Sequence, residues 1–296
     1  MLMKLRSAFT LIAVISLLAG CGGSSSSPAA SKKYANLAAA RGDLGTKLTR
    51  HGGAPQDYDD SELPTGGVEV VTYKSGKLEL QGWLCGMQRD DKRPALVFLH
   101  GGFAFGAGDF DQVSDWVEDG WVVFVPMVRG ENGLPGDYDL FFHEIDDVIA
   151  AGQHVANLDY VDPKAVFVMG HSVGGTRALL VSMLPGPFAG AASIGGAPDF
   201  SGWLEGQTEL APFDLSDEME SWMRSPNRHV ADISIPLIVA RGTKEDWNKE
   251  MTRDFVDESK KAGKDVVQIN TTGDYFTCFY PAQQLIMKEF NKRLGR

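Results

Sequence analysis

The chain has 296 residues, 43% of them hydrophobic, with 34 glycines and a formal charge of −11. That composition suits one sizeable globular domain of α/β type. An acidic balance without a basic cluster argues against nucleic acid or a polyanionic partner. No phosphate loop, dinucleotide fingerprint or metal-ligand spacing is present, so neither a cofactor nor a metal is expected.

Lys4 and Arg6 precede the apolar run 8–18, which closes at Leu18-Ala19-Gly20-Cys21. A basic start, a short apolar stretch and a small-residue site read as a signal peptide over residues 1–20, because the run is too short for a membrane span. Leu-Ala-Gly-Cys resembles the bacterial lipobox. The resemblance implies lipidation of Cys21 and an anchor in the bacterial cell envelope, with Gly22 leaning toward the outer membrane or cell surface. The alternative is an ordinary cleaved signal with an incidental cysteine. Residues 21–33, rich in Ser and Gly, read as a flexible tether. The polar segment 34–67, with one short helix around 34–40, is expected to wrap the domain surface.

Residues 68–73 and 78–83 alternate in character across Lys74-Ser75-Gly76-Lys77 and predict an antiparallel hairpin. From Ala95 the pattern changes to repeated strand–helix units. Strands are expected at 95–99, 121–125, 165–169, 191–194, 237–240 and 266–269, with helices at 112–118, 140–158, 176–184, 248–262 and 282–294. The fold class is therefore α/β, a mostly parallel twisted sheet with an antiparallel start and helices on both faces. Residues 199–226 interrupt the rhythm with Trp203, Phe213 and Trp222, either as a lid or as ordinary surface structure.

The apolar run 165–169 leads into Gly170-His171-Ser172-Val173-Gly174 and then a helical pattern. Strand, sharp turn and helix place Ser172 Oγ at the carboxyl end of the sheet, with a helix N-terminus favouring negative charge there. The strand 95–99 ends in His100-Gly101-Gly102-Phe103, where backbone N–H groups of Gly102 and Phe103, with that of Val173, can face an oxyanion. On these residues the chain resembles the α/β-hydrolase superfamily, and more narrowly the prolyl-oligopeptidase-like and dienelactone-hydrolase-like serine hydrolases. Pro126-Met127-Val128-Arg129-Gly130-Glu131-Asn132-Gly133 and Asp162-Pro163-Lys164 are similar to the former, so the resemblance covers residues 68–296. It implies small ester or peptide substrates and substrate-binding roles for Arg129, Glu131 and His171. The family topology also puts Cys85 and Cys278 far apart, implying two buried free thiols.

A serine hydroxyl needs a base, and a histidine base needs an acid to hold its tautomer. In this superfamily the order is serine, acid, histidine. The acid falls in Arg241-Gly242-Thr243-Lys244-Glu245-Asp246, where Asp246 matches the family position and Glu245 and Asp199 are reserves. Where related sequences carry the histidine, this chain has Gly273-Asp274-Tyr275-Phe276, so Tyr275 stands in its place, and no histidine follows His229. His171 is expected to point away from the nucleophile. His51, His143, His154 and His229 are expected to be surface or packing residues, and His100 to support the oxyanion loop. An unperturbed phenol, with a pKa of about 10, is a poor base near neutral pH; nearby Lys244 or Arg241 could lower it. Two functions follow: an envelope-anchored serine hydrolase, weak for want of histidine, or a pseudoenzyme whose pocket binds an acyl or peptide ligand or a protein partner.

Overall fold

The computed structural model describes residues 33–56, 58, 67–86 and 91–296. The expected signal peptide, Cys21 and the tether up to residue 32 lie outside the described residues. Helix α1 (Leu37–Leu44) comes first, capped by Asn36 Oδ1, which accepts from the Ala39 N–H. The hairpin forms as β1 (Glu69–Ser75) and β2 (Leu78–Cys85), with Tyr73 opposite Leu80. There follow β3 (Arg93–Leu99), α2 (Ala107–Asp111), α3 (Ser114–Glu118), β4 (Val122–Pro126), α4 (His143–Ala156), β5 (Val161–His171) and α5 (Val173–Val181). The chain continues through β6 (Gly190–Ile194), α6 (Phe200–Leu204), α7 (Glu218–Arg224), β7 (Leu237–Gly242), α8 (Lys249–Lys261), β8 (Val266–Thr271) and α9 (Phe279–Arg293).

The eight strands form one sheet in the order β1-β2-β4-β3-β5-β6-β7-β8, antiparallel through β1 and β2 and parallel from β4 onward. Continuous apolar strands are buried on both faces. In β3, Ala95, Val97 and Leu99 point into one core and Leu96 and Phe98 into the other. Residues of α4, α5 and α8 fill the first core, and those of α3 and α9 the second. Chain order reverses between β3 and β5, which places a crevice at their carboxyl ends. His100 and Ser172 follow these two ends directly.

Three sequence expectations shift. The helix expected from residue 140 starts at His143, because Leu140 (φ 52°) and Phe141 (φ 70°) are left-handed. The buried Glu144 carboxylate stabilises that kink by accepting from the Asp139, Leu140 and Phe142 N–H groups. The helix expected at 112–118 forms as α3 from Ser114, and a separate short helix, α2, lies just ahead of it. Residues 199–226 are tied to the body: Phe200, Leu204, Phe213 and Met223 are buried in the first core, and buried Arg224 donates to the Leu140 carbonyl. Cys85 and Cys278 are both buried and free, as expected.

Candidate active site

Ser172 has φ 57° and ψ −120°, a strained conformation for a residue with a side chain. The turn is pinned by the Ser172 N–H donating to the Ile194 carbonyl at 2.9 Å. It also demands glycine: a Cβ on Gly170 would collide with the Gly174 carbonyl, and one on Gly174 with the Leu99 carbonyl. Val173 opens α5, so its N–H has no acceptor within the helix. A Cβ on Gly101 would stand 3.3 Å from Ser172 Cβ, so the loop after β3 lies against the elbow.

That loop is braced from behind. Buried Glu131 accepts from Arg177 at 2.8 Å, from His100 Nε2 at 3.0 Å and from the Val128 N–H at 3.0 Å. Both His100 nitrogens face acceptors, Nδ1 meeting the Gly101 carbonyl at 3.0 Å, an arrangement that favours the protonated ring. Burial alone would lower the His100 pKa and raise that of Glu131. The attraction of Glu131 outweighs burial and the opposing Arg177 charge at His100, which is raised, and Arg177 and His100 together hold Glu131 at about 2. Asn132 clasps Phe105 from the same turn, its Oδ1 accepting from the Phe105 N–H and its Nδ2 donating to the Phe105 carbonyl. Arg129 is bound by its backbone N–H, Nε and a terminal nitrogen to buried Asp147. Arg129 and Glu131, expected to bind substrate, are instead seen engaged with carboxylate or cation partners that hold the loop.

On the other side of Ser172 stands Tyr275, its phenol buried beside the serine side chain. Burial, with the nearby Glu245 charge, raises its pKa to about 12, although the neighbouring Ser172 acts to lower it. Neither Arg241 nor Lys244 offsets the rise, and Arg241 donates instead to the Gly242 and Glu245 carbonyls. Of the two acid-loop carboxyls, Asp246 is exposed, whereas Glu245 is buried next to the tyrosine. A Cβ on Gly195 would lie 3.0 Å from the Tyr275 ring and 3.4 Å from Glu245 Oε1. A phenol carries one polar atom where an imidazole carries two, so the acid has no second donor to receive from the base position. Glu245 accordingly accepts from the Gly242 N–H at 3.0 Å and Asn248 Nδ2 at 2.6 Å. Burial raises its pKa.

The other histidines make contacts of their own. His171 packs its ring 5.0 Å from that of Tyr275 and 5.2 Å from that of Phe279, and burial drops its pKa to about 4. Its ring thus lies against the tyrosine. His229 pairs with the Trp222 carbonyl, His143 with Asp139 and His51 with Asp137, while His154 lies among Tyr73 and Phe124. Asp199 stands at the N-terminal cap of α6. One contact had no sequence signal at all: the Phe103 N–H donates to Gln56 Oε1 at 3.0 Å.

An elbow serine at the carboxyl ends of a parallel sheet, facing a glycine-bearing oxyanion loop, defines a serine hydrolase of the α/β-hydrolase superfamily. The model of the prolyl oligopeptidase family matches residues 109–272, more than half of the chain, and the chain belongs to that family. It is 24% identical over 203 residues to the uncharacterized peptidase YtmA of Bacillus subtilis, covering 64% of this chain and 78% of that one. It spans only 28% of the uncharacterized peptidase YuxL of the same organism, at 25% identity over 197 residues and 56% of this chain. Among solved structures, a puromycin-hydrolyzing peptidase of Mycobacterium tuberculosis superposes with TM-score 0.68 at 16% identity, covering 78% of this chain and 41% of its own. The butyrate-bound esterase Est2 of Thermogutta terrifontis superposes with TM-score 0.61 at 21% identity, over 77% of this chain and 95% of its own.

Proposed function

We propose that the chain is an envelope-anchored hydrolase of small esters or short peptides, acting slowly through an acyl-enzyme on Ser172. The observation that carries this reading is the serine held on a strained elbow, with the loop after β3 lying against it and the buried Tyr275 beside it. In the acylation step Ser172 Oγ attacks the carbonyl carbon while the Gly102, Phe103 and Val173 N–H groups receive the oxyanion. The Oγ proton passes to the Tyr275 phenolate, a form scarce at neutral pH with a pKa near 12. Collapse expels the alcohol, and water then releases the acid by the same route. An amine leaving group needs a proton that so weak an acid supplies poorly, whereas an activated phenolate leaves unaided, so esters are favoured over amides. Oxyanion stabilisation and binding alone are worth roughly a thousandfold over water. Anchoring through lipidated Cys21 belongs to the same proposal and rests on the lipobox resemblance.

Hydrolysis of a short-chain nitrophenyl ester by the wild type and by Ser172→Ala tests it. Turnover that disappears in the variant is expected; equal rates would refute a working nucleophile. Equal rates would favour the second reading, a binding module on a hydrolase fold, to which the raised Tyr275 pKa already lends weight.

A further inference from the structure

We infer that residues 49–56 form a strap whose Gln56 side chain is an internal carbonyl ligand of the oxyanion loop, displaced when substrate enters. The identity of the entering ligand rests on the hydrolase reading above; the contact itself does not. The Phe103 N–H, an oxyanion donor in the hydrolase reading, donates to Gln56 Oε1 at 3.0 Å. The same oxygen lies 2.7 Å from where a Cβ on Gly102 would stand, so it lies directly against the glycine turn. A carboxamide oxygen is a neutral sp² acceptor, the same type as the scissile carbonyl of an ester or amide. The loop thus already holds the chemical group that its substrate would present.

The strap's backbone is fixed just upstream. Thr49 and Arg50 N–H groups donate to the Pro212 carbonyl at 2.7 and 3.1 Å. The Gly52 N–H donates to Asp137 Oδ1 at 2.8 Å, and the Tyr138 N–H returns a bond to the Gly52 carbonyl at 2.9 Å. The Ala54 N–H donates to the Gly130 carbonyl at 2.9 Å, on the same turn that braces the oxyanion loop. Gln56 follows this last anchor and is exposed to solvent. A fixed backbone with an exposed side chain suits a tethered, replaceable ligand better than a structural bond. Its loss releases a donor without opening the core.

The test compares the wild type with Gln56→Ala and Gln56→Glu in the whole chain. Amide hydrogen exchange of the peptide containing Phe103 and kcat/KM for a nitrophenyl ester, corrected with Ser172→Ala, are measured together. Gln56→Ala is expected to speed exchange at Phe103 and raise kcat/KM several-fold, up to about tenfold, since only one neutral hydrogen bond must be displaced. Gln56→Glu accepts more strongly and is expected to lower both. Unchanged exchange at Phe103 overturns the inference, and so does an unchanged or reduced kcat/KM in Gln56→Ala. If neither protein shows Ser172-dependent turnover, the hydrolase reading fails by itself, and the exchange comparison still decides whether Gln56 covers the donor.

Discussion

On one side of Ser172, the loops after β3 and β4 are locked by Glu131 between His100 and Arg177, all buried. On the other side, the loops after β7 and β8 bring together a neutral phenol and a carboxyl whose pKa is raised. The nucleophile half keeps its geometry through steric necessity and paired charge. The base half holds the positions of a triad without its proton chemistry. The difference turns on the residue at 275: a side chain with a single polar atom can face the serine or the acid, and here it lies beside the serine. Glu245 then satisfies itself on its own loop.

Restoring an imidazole should sharpen the contrast most. Tyr275→His is expected to raise kcat/KM for a nitrophenyl ester by roughly a hundredfold or more, with a new inflection near pH 6.5, read in a pH–rate series. A rate unchanged by the histidine would mean that Glu245 cannot be won back from Asn248 and Gly242. Breaking the opposite half should cost the fold rather than the chemistry. Glu131→Gln leaves Arg177 and His100 without their counter-charge and is expected to destabilise by about 3–5 kcal/mol in urea unfolding. The same carboxylate gives the acid limb of stability its sign. Its folded pKa of about 2 lies below the ordinary 4.5. It therefore contributes ~3 kcal/mol fully above pH 4.5, and that is lost as pH falls toward 2, visible as an acid-side drop in melting temperature. The smallest effect belongs to the exposed member of the acid loop: Asp246→Asn should leave kcat/KM within about twofold, whereas Glu245→Gln should change it more.

The nucleophile half was legible in the sequence because its constraints are local. Glycines that fit a strained turn, an apolar strand before it and a glycine pair after β3 all lie within a few residues. That no histidine follows His229 is likewise plain from the sequence. Glu245 and Asp246 are equivalent in sequence, and only the fold shows that the Gly242 N–H and Asn248 hold Glu245 inward while Asp246 faces solvent. The Arg129–Glu131 motif was visible, but its role was not, because only the fold shows that both side chains face buried partners. Gln56 left no trace: its contact with Phe103 joins distant parts of the chain through one exposed side chain, and no periodicity encodes that.

The most direct measurement is the pH–rate profile of Ser172-dependent ester hydrolysis by the wild type, with the Ser172→Ala rate subtracted at each pH. A base with a pKa near 12 predicts a rate that climbs about tenfold per pH unit through neutrality with no plateau below pH 10. A plateau near pH 7 would contradict the account, for it would require a base other than Tyr275.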